Sequence, residues 1–148
     1  MVNKKENKKT KILAIGDVHG DTGLVKKLAA RAEKENVDII ILAGDLTFAE
    51  MSLKGIIGPF AKAKKPILII PGNHESMSTI HFLSEMYKPY AKNLHGEAFR
   101  SGNLGIFGSG GTDMGIHWMP DEEIFETLQK GHEGMKDAKK KIMVTHMH

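Results

Sequence analysis

Short, uninterrupted runs of aliphatic residues recur along the chain, and segments with helical periodicity lie between them. The runs are rich in Ile, Leu and Val, which is typical of strands that are buried on both faces. Four of them stand out: Ile12–Ile15, Ile39–Ala43, Ile67–Ile70 and Ile142–Val144. Strands that alternate with helices predict an α/β fold, with largely parallel strands in the interior of the molecule.

Four helical segments are predicted between and around these strands, and most begin at residues that favour a helix start. Their expected first residues are Asp21 or Thr22, about Ala49, Ser76 or Ser78, and Pro120. The second segment extends to about Lys65 and is interrupted by two glycines and a proline. A glycine-rich stretch at 102–115 surrounds one further short strand, which is expected at 104–107.

Polar side chains that can bind metals follow each of the four aliphatic runs. In open α/β sheets, ligands bind where the carboxyl ends of the strands meet. The fold is therefore expected to bring six side chains into one crevice, namely Asp17, His19, Asp45, Asn73, His74 and His146. We interpret this crevice as a metal centre.

Carboxylate, imidazole and amide ligands suit divalent ions of the Mn, Fe, Co, Ni or Zn group. Asp45 stands alone after its strand, and its two oxygens could bridge two cations. Asp17 and His19 are two residues apart, so they could chelate one ion, and Asn73 and His146 the other. Two cations about 3.5–4 Å apart would share a hydroxide that attacks phosphorus.

Composition narrows the class of protein. The chain has 148 residues, enough for one compact domain, and we expect a flexible Lys-rich tail at 1–10 followed by a single domain at 11–148. It has no cysteine and no apolar stretch of membrane-spanning length, so a cytoplasmic protein is expected. The net charge is +3 and much of it lies in the tail, so charge gives no indication of nucleic-acid binding.

The ordered motifs Asp17-x-His19-Gly20, Gly44-Asp45, Gly72-Asn73-His74-Glu75 and Thr145-His146 resemble those of the calcineurin-like metallophosphoesterase superfamily. The resemblance extends from about residue 11 to residue 148. It implies a sandwich of two β-sheets flanked by helices and hydrolysis of phosphomonoesters or phosphodiesters. It also implies two divalent ions, with Mn²⁺ preferred and Fe, Ni, Co or Zn as alternatives.

The same resemblance implies a role for each residue. Asp17 and His19 would bind one ion, Asp45 would bridge, and Asn73 and His146 would bind the other. His74 would meet the phosphate and protonate or stabilise the departing oxygen.

This sequence departs from the superfamily in having no final Gly-His-x-His motif. Five ligands, one of them shared, are few for two ions, so we expect the last part of the domain to be missing from this chain. A non-catalytic scaffold that binds a partner protein is therefore an alternative, and a nuclease is another. The acid and arginine that protein serine/threonine phosphatases carry after the bridging aspartate are also missing, which disfavours that subfamily.

Some single residues have other interpretations. Asp17 and Asp45 could be helix caps or the phosphoacceptor pocket of a receiver-like domain, although such a domain would need a lysine where this chain has Thr145-His146. His148 is an alternative to His146 as the late ligand. Asp21 and Glu75 are interpreted as capping or supporting groups rather than ligands.

Overall fold

The structure, a computed structural model, describes residues 9–147. Seven strands and four helices are present in this part of the chain. In order they are β1 (Ile12–Ile15), α1 (Thr22–Lys34), β2 (Ile39–Ala43), α2 (Gly58–Ala61), β3 (Ile67–Ile70), α3 (Met77–Met86), β4 (Ala91–Asn93), β5 (Ala98–Ser101), β6 (Leu104–Ser109), α4 (Asp121–Glu133) and β7 (Lys140–Thr145).

The strands form two sheets. The first has the order β1-β2-β3-β4 and is parallel throughout, as the continuous aliphatic runs predict. The second has the order β5-β6-β7, in which β6 and β7 are parallel and β5 is antiparallel to β6. Because β1, β2 and β3 all point the same way, the segments that follow them emerge at one edge of the first sheet.

Alternate residues of β2 and β3 face two different cores. Ile40 and Ile67 point towards α1, α2 and α3, where they pack with buried residues such as Val25 and Phe60. Ile41 and Leu68 point the other way and contact the second sheet. Both faces of the central strands are therefore covered, which explains why these runs have no polar positions.

The second sheet is covered in turn by α4. Gly131 of this helix lies against Phe107, and Met135 lies against Gly105 of β6. The molecule thus has four layers, in the order helices, sheet, sheet and helix, which confirms the predicted sandwich of sheets flanked by helices. None of the described helices has the length and apolar character that a membrane span requires.

The starts of α1, α3 and α4 agree with the predicted helix starts. Asp21 caps α1, where its Oδ1 accepts a hydrogen bond of 2.8 Å from the N–H of Leu24. Ser76 caps α3 through the N–H of Thr79 at 3.2 Å. Pro120 precedes α4, whose first turn carries three acidic residues at the positive end of the helix dipole.

One expectation about local structure was wrong, and two strands were not predicted. The segment from Ala49 to Lys65 is helical only over Gly58–Ala61, because its first part forms an irregular loop with positive φ at Ala49, Glu50 and Gly55. Strands β4 and β5 were not predicted, because they are short and lack an aliphatic run. The division into a tail at 1–10 and a domain at 11–148 stays a prediction, since residues 1–8 and 148 lie outside the described residues.

Candidate metal centre

Backbone hydrogen bonds continue beyond the strand ends and join the first two loops at the carboxyl edge. The N–H groups of Asp17, His19 and Gly20 donate to the carbonyls of Gly44, Asp45 and Leu46 at 3.1, 2.9 and 2.9 Å. These bonds fix the relative position of the loop after β1 and the loop after β2. Asp17 and His19 are thereby held beside Asp45.

Asp45 lies at the middle of the cluster and is 4% exposed. Its Oδ1 accepts hydrogen bonds from the backbone N–H groups of Asn73 and His74, at 2.9 and 3.1 Å. Its Oδ2 faces the Nε2 atoms of three histidines, at 3.5 Å from His146, 3.9 Å from His19 and 4.0 Å from His74. Oδ1 is therefore held by backbone hydrogen bonds, whereas Oδ2 faces the imidazole nitrogens of the other site loops.

A backbone carbonyl fixes the orientation of the His146 ring. Its Nδ1 lies 2.8 Å from the carbonyl oxygen of Ala43, and a carbonyl can only accept, so Nδ1 carries the hydrogen. In the neutral ring Nε2 is then left with its lone pair, 3.5 Å from Asp45 Oδ2. An imidazole whose other nitrogen donates to a backbone carbonyl has the arrangement that is usual for metal-binding histidines.

The side-chain amide of Asn73 lies against Asp45. One of its two terminal atoms is 3.2 Å from Oδ1 and 3.1 Å from Oδ2. As the nitrogen, this atom would donate hydrogen bonds to the carboxylate, and as the oxygen it could share a cation with it. With a cation at a distance of about 2.1 Å from each oxygen, adjacent ligands of an octahedron would be about 3.0 Å apart, so the observed spacing fits a shared ion.

His74 has the opposite tautomer to His146. Its Nδ1 accepts a hydrogen bond of 3.1 Å from the backbone N–H of Ala49, so the hydrogen of the neutral ring is on Nε2. Nε2 faces the cluster, 4.0 Å from Asp45 Oδ2. A nitrogen that carries a hydrogen has no lone pair for a metal, and it can instead donate to an anionic oxygen.

Asp17 and His19 complete the set and are the more exposed members, with side chains 65% and 40% accessible. Asp17 Oδ1 lies 3.8 Å from His19 Nε2. Two trios have ligand atoms that all lie within 4.8 Å of one another: His19, Asp45 and His74, and Asp17, Asp45 and His146. Each trio could hold a metal ion, and Asp45 belongs to both.

These trios divide the residues differently from the pairing that the resemblance implies, which puts Asp17 with His19. In the neutral tautomer of His74 the hydrogen is on Nε2, so His19 rather than His74 would be the ligand in the first trio. This agrees with the ligand set that the resemblance implies. The distances bring all six predicted site residues together around Asp45. Their assignment to individual ions stays a prediction, and His148 lies outside the described residues.

Glu75 links the loop after β2 to the loop after β3 through buried hydrogen bonds. Its side chain is completely buried. Oε1 accepts from the N–H and the hydroxyl of Thr47, at 2.7 and 2.9 Å, and Oε2 accepts from the N–H of Gly72 at 3.1 Å. Since Thr47 follows Asp45 by two residues and Gly72 precedes Asn73, this carboxylate fixes the spacing between Asp45 and Asn73.

Glycine is required where the same two loops cross. A Cβ on Gly72 would overlap Oδ1 and the backbone nitrogen of Asp45. A Cβ on Gly44 would lie 2.6 Å from Nδ1 of His146 and 2.7 Å from the nitrogen of Gly72. Only residues without a side chain allow Asp45 and His146 to come this close.

Backbone strain is concentrated at this edge of the molecule. Five of the seven non-glycine residues with positive φ in residues 9–147 lie in the site loops: Asp17, His19, Asp45, Ala49 and Glu50. Each such conformation costs of the order of 1–3 kcal/mol and persists only where surrounding contacts impose it. Strain of this kind is characteristic of functional sites.

The loop that carries Ala49 and Glu50 is fixed at several points. Glu50 donates its N–H to Thr47 Oγ1 at 3.1 Å and accepts at Oε1 from the N–H of Ser76 at 2.6 Å. Burial alone would raise the pKa of Glu50, but hydrogen bonds from Thr79 and Ser76 and the nearby His117 together lower it. Glu50 is therefore an ionised anchor for this loop.

The comparisons with known proteins agree with this geometry. The sequence profile of the calcineurin-like phosphoesterase family matches residues 10–148. The chain belongs to this family. No curated protein sequence matches the chain.

Solved structures share the fold of this chain. The crystal structure of TT1561 of Thermus thermophilus has a TM-score of 0.75 and 18% identity, over 93% of this chain and 68% of that chain. A second crystal structure has a TM-score of 0.67 and 15% identity, over 92% of this chain and 67% of that chain. At these identities the similarity concerns the fold.

Some functional groups could not be found in the sequence. The carbonyl of Ala43 and the N–H of Ala49, which set the tautomers of two histidines, are backbone groups without a residue signature. Phe48 lies against the ring of His74 and had no motif to mark it. The interpretation of Asp21 as a cap and Glu75 as a supporting group is confirmed by their hydrogen bonds.

Proposed function

We propose that this calcineurin-like phosphoesterase hydrolyses a phosphomonoester or phosphodiester with two divalent ions, of which Mn²⁺ is the preferred candidate. The observation that carries the proposal is the surrounding of Asp45 Oδ2. The buried Oδ2 is approached by the side-chain amide of Asn73 at 3.1 Å and by Nε2 of His146 at 3.5 Å, and two trios that share Asp45 have ligand atoms within 4.8 Å of one another. Carboxylate, imidazole and amide groups gathered at this spacing are a typical ligand set for divalent cations.

The reaction joins the oxygen of a water molecule to phosphorus and breaks the bond from phosphorus to the alcohol oxygen. The water loses a proton and the alcohol oxygen gains one. Two cations at this site would lower the pKa of the attacking water and neutralise charge on the phosphoryl oxygens. Asp17, His19, Asp45, Asn73 and His146 are the residues that would hold them.

His74 is assigned to the substrate rather than to a metal. Its Nε2–H faces the cluster because Nδ1 is occupied by the N–H of Ala49 at 3.1 Å. A donor in this position stabilises negative charge on a phosphoryl or departing oxygen. His74 is therefore assigned the role of a hydrogen-bond donor to the substrate.

The test measures hydrolysis and bound metal together. Purified protein is incubated with Mn²⁺ and chromogenic phosphomonoesters and diesters, and its metal content is determined by elemental analysis. We expect roughly two equivalents of metal and turnover in the wild type. Asp45→Asn should lose both, whereas His74→Ala should keep the metal and lose about 10²–10⁴-fold in kcat.

His81→Ala, on the exposed face of α3, is the control for loss of an unrelated imidazole. Activity that survives both site substitutions would overturn the proposal. A protein without bound metal would instead be the scaffold that the sequence leaves as an alternative. A cytoplasmic location stays a prediction from the absence of cysteine.

A further inference from the structure

Phe48 places an exposed aromatic ring beside the metal centre. Its ring centroid is 5.1 Å from that of His74, with the planes tilted by 33°, and 6.5 Å from that of His19. The side chain is 56% exposed. The ring thus covers the donor histidine on one side and leaves most of its own surface free.

Contacts on both sides of Phe48 keep it in this position. Thr47 before it is completely buried and bonded to Glu75 through its N–H and its hydroxyl. Ala49 after it has a φ of 49° and donates its N–H to His74. A flexible loop could fold an exposed phenylalanine back onto the protein, but this loop is fixed with the ring outside.

A second loop brings more apolar surface to the other side of the centre. This loop, residues 110–119, contacts Asn73 at two points: the N–H of His117 donates to its carbonyl at 3.3 Å, and Gly115 lies against its side-chain amide. Three side chains of the loop, Met114, Ile116 and Trp118, are 67%, 61% and 65% exposed. Apolar surface therefore lies on both the His74 and the Asn73 sides.

Positive charge is scarce at the same edge. In the loops that surround the site, at 16–21, 44–57, 71–76, 110–120 and 146–147, Lys54 is the sole lysine or arginine. Some of the other basic residues stand at the amino ends of strands, as Lys11 does before β1 and Lys65 before β3, and others, such as Lys26 and Lys27, lie on α1. A polynucleotide or a second phosphate would need cationic side chains that these loops do not supply.

We propose that the substrate is a phosphoester of an uncharged aromatic group, which stacks on Phe48 while its phosphate lies at Asp45 and His74. This inference rests on the proposed function and adds the class of the esterified group. Offset or tilted aromatic contact favours such a group over an aliphatic one of the same charge. The proposal disfavours the nuclease, because a long polyanion gains little from an apolar rim.

The test compares two non-hydrolysable probes, phenylphosphonate and methylphosphonate, which have the same anionic group and differ in the ring. Their affinities for the Mn²⁺-loaded protein are measured by titration calorimetry. We expect phenylphosphonate to bind about tenfold more tightly. In Phe48→Ala this ratio should fall to about twofold, and in Phe82→Ala, which removes a ring 49% exposed on α3, it should not change.

Trp118 provides a second readout because it is the one tryptophan of the chain. Its fluorescence should respond more to phenylphosphonate than to methylphosphonate. Equal affinities for the two probes in the wild type, or an equal loss of both in Phe48→Ala, would overturn the inference and leave the phosphoesterase intact. Failure of both probes to bind, together with absence of bound Mn²⁺, would overturn the proposed function and this inference with it.

Discussion

Replacement of Glu75 tests whether the site loops are held by one buried carboxylate. Glu75→Gln keeps the shape of the side chain but turns one carboxylate oxygen into an NH₂ group. Three hydrogen-bond donors surround it, namely the N–H and hydroxyl of Thr47 and the N–H of Gly72. In the variant these donors meet one amide oxygen, which accepts, and one NH₂ group, which donates. At least one donor of the protein is left without an acceptor in the interior.

The expected loss can be worked out from these bonds. Hydrogen bonds to an ionised group contribute about 1.5–3 kcal/mol each, and an unsatisfied buried donor costs about 1–3 kcal/mol. The smaller cost of burying a neutral amide offsets part of this loss. We therefore expect Glu75→Gln to lower the free energy of unfolding by about 2–4 kcal/mol, which at about 2 kcal/mol per molar urea shifts the midpoint by about 1–2 M.

Urea denaturation followed by circular dichroism measures this change, and Mn²⁺ titration of the folded protein measures its effect on the site. Metal affinity should fall about 10–100-fold, because Asp45 and Asn73 are no longer held at a fixed spacing. Glu85→Gln, at an exposed ion pair with Lys88, is the matched control and should leave both quantities unchanged. Wild-type stability and wild-type metal affinity in Glu75→Gln would refute the role given to this carboxylate.

Three further predictions follow from the same geometry. Gly72→Ala should lower the free energy of unfolding by about 1–3 kcal/mol and weaken Mn²⁺ binding in titrations, since its Cβ would overlap Asp45. The control Gly134→Ala, whose Cβ would lie 3.4 Å from its nearest neighbour, should change neither quantity. His146→Ala should reduce bound Mn²⁺ from about two equivalents to about one by elemental analysis, and unchanged stoichiometry would remove it from the ligand set. Burial, and secondly the charge of Lys130, lowers the pKa of His95 below 6.5. The unfolded chain therefore binds more protons at this residue than the folded chain does, so the free energy of unfolding should fall as the pH drops from 7 to 5. His95→Gln should reduce that slope in urea titrations, and an unaltered slope would contradict the assignment.

The sequence predicts most of the fold because the central strands are buried on both faces. A run such as Ile67–Ile70 cannot lie at a surface, and the helices between the runs then have to cover the sheet. The same logic placed Asp17, Asp45 and Asn73 at one edge. Both the fold and the position of these residues were predicted from the order in which buried strands and covering helices follow one another along the chain.

Helical periodicity in the sequence gave a wrong prediction where tertiary hydrogen bonds determine the backbone conformation. Residues 49–57 have helical spacing, but Glu75 holds Thr47, and Ser76 holds Glu50, so the loop adopts left-handed conformations instead of a helix. The tautomers of His74 and His146 depend on backbone groups 25 and 103 residues away in sequence. Such long-range contacts leave no local pattern, so the tautomers of these two histidines could not be predicted from the sequence.

The bridging position of Asp45 is the claim on which the mechanism depends most. Anomalous diffraction from crystals grown with Mn²⁺ tests it directly. We expect two peaks that share Asp45 Oδ2 as a ligand, with Asn73 and His146 on one ion and Asp17 and His19 on the other, and no peak on His74 Nε2. Peaks remote from Asp45, or a single peak bound through His74, would contradict it.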